Sequence, residues 1–254
     1  MAPTFTRSLA YTTGAEPFQV TTSDGVTLEG HRLGEGDVGL VFCHGFLGWH
    51  RKPRLVRFQE ELARTFSVYA FDFRGHGLSA GESSYGAREH LDVDAVVRAA
   101  RNDGFQRVVT VGGSMGGIAV IRHAAEMKNA DAVVAISTPA LWDGQDSDPV
   151  RRIIWFLGTP SGRRLLRLSG VRVAPAWEVS VPPADIVSEV SPVPLVIIHG
   201  RDDHFFDEEQ AWLLYRRARP PKRLLLGAPF GHAEDGYNPA FARNLASAIH
   251  RAIA

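Results

Sequence analysis

The chain has 254 residues, 44% of them hydrophobic, enough to bury one large core without a shift in composition along its length. Its 28 Lys and Arg balance 28 Asp and Glu, which excludes the basic footprint of a nucleic-acid partner and the charge excess of a disordered chain, and favours a small-molecule substrate. The single cysteine, Cys43, excludes an internal disulfide, no run approaches the roughly 18 apolar residues of a membrane span, and the first residues lack a signal-peptide core; a soluble, cytoplasmic protein is expected.

The first elements are two extended stretches in "FQVTTSDGVTLEGHRL", joined at Asp24-Gly25, a dipeptide suited to the positive backbone angles of a hairpin turn. Short apolar runs follow at 39–45, 67–73, 107–113, 132–137, 194–200 and 222–228, and their nearly unbroken hydrophobicity predicts strands buried on both faces of a parallel sheet. Between them, helical spacing relates Leu55, Phe58, Leu62 and Phe66; Val93, Val96, Val97 and Ala100; Ala211, Leu214, Tyr215 and Ala218; and Phe241, Leu245, Ala248 and Ile249. Strand alternating with helix predicts an α/β fold, a mostly parallel twisted sheet with helices on both faces.

The alternation lapses over 141–190. A repeat of Val150, Ile153, Ile154 and Leu157, then Leu165, Leu166 and Leu168, predicts a small helical cap inserted into a core formed by 1–140 and 191–254.

Two segments fit Gly-x-Ser-x-Gly: "GLSAG" at 77–81 and "GGSMG" at 112–116. Ser114 directly follows a strand and is followed by a helical pattern, so it sits where a sharp strand-to-helix turn would expose a nucleophile at the carboxyl end of the sheet. Ser79 comes six residues after Phe73 and leads into turn formers, so it reads as a loop residue. A serine hydroxyl needs a base, and the base needs an orienting acid. Asp202 and Asp203 follow the 194–200 strand and His232 follows the last one, giving the chain order serine, acid, histidine. His44 also ends a strand, at the start of a possible oxyanion loop, and is expected to brace that loop.

These segments, "HGF" at 44–46, "DFRGHGLSAG" at 72–81, "GGSMGG" at 112–117, "HGRDD" at 199–203 and "GH" at 231–232, make the chain resemble the α/β-hydrolase superfamily, in particular its esterases and monoacylglycerol-lipase-like serine hydrolases. The resemblance covers nearly everything except the cap. It implies the α/β-hydrolase fold, a catalytic triad of Ser114, Asp203 (rather than Asp202) and His232, and an oxyanion hole from the backbone N–H groups of Phe46 and Met115. It makes "GLSAG" a structural turn. One departure is Gly113, where many relatives carry His or Tyr; more space behind the nucleophile is expected there.

The implied reaction is hydrolysis of a carboxylic ester, or a related acyl bond, of a small apolar substrate through an acyl-enzyme. Carbon–carbon bond hydrolysis and cofactor-free perhydrolysis use the same triad, and a slow-turnover binding or sensor protein could keep it. No cofactor or metal is implied: there is no His-Glu-x-x-His cluster, and "GEGDVG" at 34–39 precedes a strand instead of opening a helix. Pocket candidates are Leu47 and Trp49 beside the oxyanion loop and Trp142, Trp155 and Phe156 in or near the cap, with Trp177 close by; packing of the cap itself is the competing role. Arg151, Arg152, Arg163, Arg164, Arg167 and Arg172 crowd the same insertion, either to attract an anionic ligand or as a solvated helix face.

Overall fold

A computed structural model describes residues 8–142, 147–175 and 180–254. Trp177 lies outside the described residues. The strands are β1 (Ala15–Thr21), β2 (Thr27–Leu33), β3 (Val38–Cys43), β4 (Ser67–Phe71), β5 (Arg107–Gly113), β6 (Ala132–Ile136), β7 (Leu195–Gly200) and β8 (Lys222–Ala228). Among the described residues they form one sheet in the order β1-β2-β4-β3-β5-β6-β7-β8. β1 and β2 pair antiparallel, as do β2 and β4, and every later pair is parallel. This is the α/β-hydrolase arrangement that the sequence implies.

The apolar runs are continuous because successive side chains enter two different cores. On β3, Leu40 and Phe42 point to the side of α1 (Pro53–Leu62) and α8 (Pro239–Ile253), where Phe58, Leu62, Leu245 and Ile249 pack. Val41 and Cys43 point to the opposite layer, against α2 (Glu89–Asn102) and α3 (Met115–Glu126). α7 (Glu208–Arg217) packs on β7 and β8 in that second layer through Ala211 and Leu214. Cys43 lies wholly within it, and burial pushes its thiol well above the usual value, which makes it a packing residue.

The insertion contains α4 (Asp148–Gly158) and α5 (Pro160–Leu168), which pack on one another around a small separate cluster of Leu157, Leu166 and Val171. Its later part behaves differently. α6 (Pro183–Ile186) and the 3-10 turn after it bury Ala184, Val187 and Val190 in the main core, against α3. Among the described residues no helix is long and apolar enough to cross a membrane.

The "DFRGHGLSAG" segment is a polar knot beneath the carboxyl edge of the sheet. Ser79 is fully buried; its hydroxyl donates to the Asp72 carbonyl at 2.5 Å and accepts from the Glu29 N–H at 2.9 Å. The Asp72 carboxylate accepts from the backbone N–H and Nδ1 of His50, both at 2.7 Å, and from the Leu78 N–H at 2.9 Å. Two residues on, the buried Arg74 bonds Asp92 at 2.8 Å and Asp24, in the first hairpin turn, at 2.7 Å.

Burial by itself would raise the Asp72 carboxyl, but the His50 hydrogen bond and charge outweigh it and set the value at about 2. A carboxyl depressed in the folded state stabilises fully above its unfolded value, roughly pH 4, and loses that contribution as the pH falls toward 2. Asp72→Asn is therefore expected to lower stability by about 2–3 kcal/mol at pH 7. In urea titrations run at successive pH values, the gap to the parent protein should close below pH 4.

Candidate active site

Between β5 and α3 the chain reverses direction at one residue. Ser114 has φ 54° and ψ −118°, a conformation that an L-residue adopts at a cost of about 1–3 kcal/mol. Its N–H donates to the Ile136 carbonyl at 2.9 Å, and its carbonyl accepts from Ile118 at 3.1 Å, so strand and helix hold it from both sides. The turn closes only over small neighbours: a Cβ on Gly112 would lie 2.2 Å from the Gly116 carbonyl oxygen, and one on Gly116 would lie 2.3 Å from that of Cys43.

The expected acid and base, Asp203 and His232, come from the loops after β7 and β8. His232 Nδ1 donates to Asp203 Oδ2 at 2.9 Å and Oδ1 at 3.1 Å. Asp203 Oδ1 also accepts the N–H groups of Phe205 at 2.8 Å and Phe206 at 3.1 Å, and its side chain is 1% exposed. Burial works to raise this carboxyl, but the His232 hydrogen bond and charge, with the two amides, outweigh it and hold it below the usual value. Asp202 is exposed and makes a backbone bond to Phe230.

Phe205 stacks on the His232 ring at 4.2 Å between centroids and Phe206 meets it edge-on at 5.4 Å, so the imidazole is clamped as well as hydrogen-bonded. Its loop is tied down by the Ala233 N–H donating to Ser137 Oγ at 3.0 Å and by the His232 N–H donating to Asp235 at 3.0 Å. Phe205, Phe206 and Ser137 carry no motif, and only the "DDHFFD" run after a strand end hints at the first two.

On the other side of Ser114, Gly45 to Gly48 form a turn closed by a 3.0 Å hydrogen bond, with Leu47 at φ 65°. His44 braces it: Nδ1 donates to the Gly45 carbonyl at 2.8 Å and Nε2 accepts from the Phe73 N–H at 3.1 Å. Burial, with His76 nearby, lowers the His44 imidazole to about 3, so it is neutral and can both donate and accept. The Phe46 N–H donates to no backbone acceptor among the described residues. The Met115 N–H opens α3, where a first-turn amide has no intrahelical acceptor.

Ser114, His232, Phe46 and Leu47 line one cavity of about 350 Å³. No hydrogen bond joins Ser114 to His232 in this structure; Asp203 occupies Nδ1, and Nε2 makes no hydrogen bond among the described residues. The expected pocket residues divide. Leu47 and Phe156 line the cavity, while Trp49, Trp142 and Trp155 do not. Trp49 is half-buried with its ring 5.7 Å from Lys52 Nζ, Trp142 donates to the Ser180 carbonyl, and Trp155 is 44% exposed on the outside of α4. α4 instead presents Pro149, Arg152, Ile153 and Phe156 to the cavity, one helical face.

The profile of the Alpha/beta hydrolase family matches residues 40–252. The chain belongs to that family. It is similar to the uncharacterized protein YfhR of Escherichia coli O157:H7, 29% identical over 237 residues (88% of this chain, 75% of that one). It is also similar to the uncharacterized protein YqkD of Bacillus subtilis, 26% identical over 226 residues (85% and 72%). Among solved structures, the esterase Pf2001 of Pyrococcus furiosus superposes with a TM-score of 0.76 at 23% identity, covering 95% of this chain and 94% of that one. A putative aryl esterase from Burkholderia cenocepacia gives 0.69 at 21% identity, covering 94% and 99%.

The space behind Ser114 is not open. Tyr237 fills it, stacked on Phe58 at 4.5 Å, and a Cβ on Gly113 would fall 2.2 Å from the tyrosine hydroxyl but 3.4 Å from the carbon that bears it. Gly113→Ala is accordingly expected to destabilise by about 1–3 kcal/mol through overpacking. The double variant Gly113→Ala/Tyr237→Phe should recover most of that loss, as read from urea unfolding midpoints.

Proposed function

We propose that the chain is a serine hydrolase that cleaves a carboxylic ester of a small substrate through an acyl-enzyme on Ser114. The observation that carries this reading is the clamped, hydrogen-bonded His232–Asp203 pair, whose free ring edge shares one cavity with a serine held on a strained elbow.

In this reading Ser114 Oγ attacks the ester carbonyl carbon while His232 Nε2 takes its proton, and Asp203 holds the ring tautomer and balances the imidazolium charge. The carbonyl oxygen becomes an oxyanion facing the N–H groups of Phe46 and Met115, prearranged donors worth about 3–4 kcal/mol each in transition-state stabilisation. Collapse of the tetrahedral species breaks the bond to the alkoxy oxygen, which leaves with the His232 proton as the alcohol. Water then attacks the acyl-serine, giving its proton to His232, and the acid departs as Ser114 regains a proton. Because burial keeps His44 neutral beside the oxyanion loop, it orients that loop and is not a second base.

A fluorophosphonate probe is expected to label Ser114 and not Ser79, as located by mass spectrometry of the labelled peptide. Ser114→Ala should abolish both labelling and turnover of p-nitrophenyl acetate. Asp203→Asn should lower kcat by at least about a thousandfold, whereas Asp202→Asn, which alters an exposed side chain, should stay within about threefold. Labelling at Ser79, or a crippled Asp202→Asn variant beside an active Asp203→Asn, would overturn the assignment.

A further inference from the structure

The insertion holds six arginines in the span 148–172 against one acid, Asp148, in a chain with no net charge. The structure separates them by position. Arg151 pairs with Asp148, Arg163 donates to the Leu157 carbonyl, and Arg172 donates to the carbonyls of Ser79 and Gly81. Arg164 and Arg167 lie exposed on α5, away from the cavity. Arg152 alone of the six lines the cavity that contains Ser114 and His232.

Its placement is set by the fold. Arg152 shares the inward face of α4 with Pro149, Ile153 and Phe156, at helical spacing. The start of that helix is pinned to the site, because Ser147 Oγ donates to the carbonyl of Phe205, the residue stacked on His232, at 2.9 Å. The charge is also uncompensated. Among the described residues Arg152 forms no ion pair or side-chain hydrogen bond, and Glu234, a carboxylate that also lines the cavity, is already paired with Lys52 at 2.8 Å. A planar guanidinium with its donors unused, at the mouth of a cavity small enough to bring any occupant near it, matches a carboxylate in two-point geometry.

We infer that Arg152 is a specificity-determining residue, and that the preferred substrates are short esters carrying a free carboxylate a few bonds from the scissile carbonyl. The inference rests on the serine-hydrolase reading and narrows its substrate class from small esters to anionic ones. Arg152 takes no part in bond making; it holds the substrate's distant end while Ser114 and His232 act on the carbonyl.

The test compares esters matched in length with and without the charge. Monoethyl glutarate against ethyl valerate places the carboxylate on the acyl side, and 4-acetoxybutanoate against butyl acetate places it on the alcohol side. With product acid measured chromatographically, the parent enzyme should favour the charged member of at least one pair by about tenfold or more in kcat/KM, mainly through KM. That preference should shrink as salt is raised. Arg152→Gln should erase it, Arg152→Lys should restore part of it, and Arg164→Gln, on the outer face of the cap, should leave it intact.

No preference in either pair, with hydrolysis that still depends on Ser114, overturns the inference and leaves the serine-hydrolase reading standing. A preference that survives Arg152→Gln, or that Arg164→Gln lowers equally, assigns it to the general field of the cap and also overturns it. Hydrolysis that persists in Ser114→Ala brings down the parent reading and this inference together.

Discussion

The backbone of Ser114 is the constraint around which the site is arranged. A φ of 54° with ψ −118° is not a conformation that a serine keeps in isolation; it persists because the end of β5, the first turn of α3 and the end of β3 are packed too closely to allow another. Gly112 against the Gly116 carbonyl and Gly116 against the Cys43 carbonyl are the contacts that set this closeness. Because the helix begins at the very next residue, the same geometry places the Met115 N–H in the first turn of α3, where it has no intrahelical acceptor and is free for the proposed oxyanion hole. One strained residue thus fixes the proposed nucleophile and half of the proposed oxyanion hole together.

The other parts of the site are anchored independently of that elbow. His44 is held by Phe73 and fixes the Gly45 turn, and the Asp72 knot beneath it ties His50 to Leu78. The Asp203 carboxylate is set by two backbone amides that follow it, and His232 by Asp203, Phe205 and Asp235. Ser137, at the end of β6, links the two sides through the Ala233 amide. Each anchor lies at the carboxyl end of a different strand, so the parallel sheet brings into register groups that are up to 188 positions apart in sequence, as with His44 and His232.

The sheet, its helices and the strand-to-helix serine were legible in the sequence because they depend on local chemistry: unbroken apolar runs, 3.6-residue spacing, and glycines flanking one serine. Asp203 was separable from Asp202 only through the family pattern, since adjacent carboxylates after the same strand look alike until the loop is folded. The pocket was not legible. Five aromatic and aliphatic residues near the motif were equally plausible by composition, but α4 turns Phe156 inward and Trp155 outward, one residue and about 100° apart. Gly113 shows the same limit. Its missing side chain suggested empty space, whereas the space belongs to Tyr237, 124 positions later. The six arginines read as one charged run, and only the helix phase and the pairing of the others single out Arg152.

Three buried polar atoms near the site have no hydrogen-bond partner among the described residues. His76 Nε2 lies in the layer below Phe46, His199 Nδ1 belongs to the ring whose Nε2 approaches Asp203 at 3.6 Å, and the Tyr237 hydroxyl faces Gly113. Each such atom costs on the order of 1–3 kcal/mol when kept from water, and the elbow adds its own strain. A core free to optimise stability alone would replace them with apolar groups of similar shape. Similar atoms occur at Gln59 on α1, His90 on α2, Thr110 on β5 and His123 on α3, so the cost near Ser114 and His232 is one part of a cost spread over the fold. The strain at Ser114 is offset by the two apolar layers on either side of the sheet, in a chain whose single cysteine forms no internal disulfide.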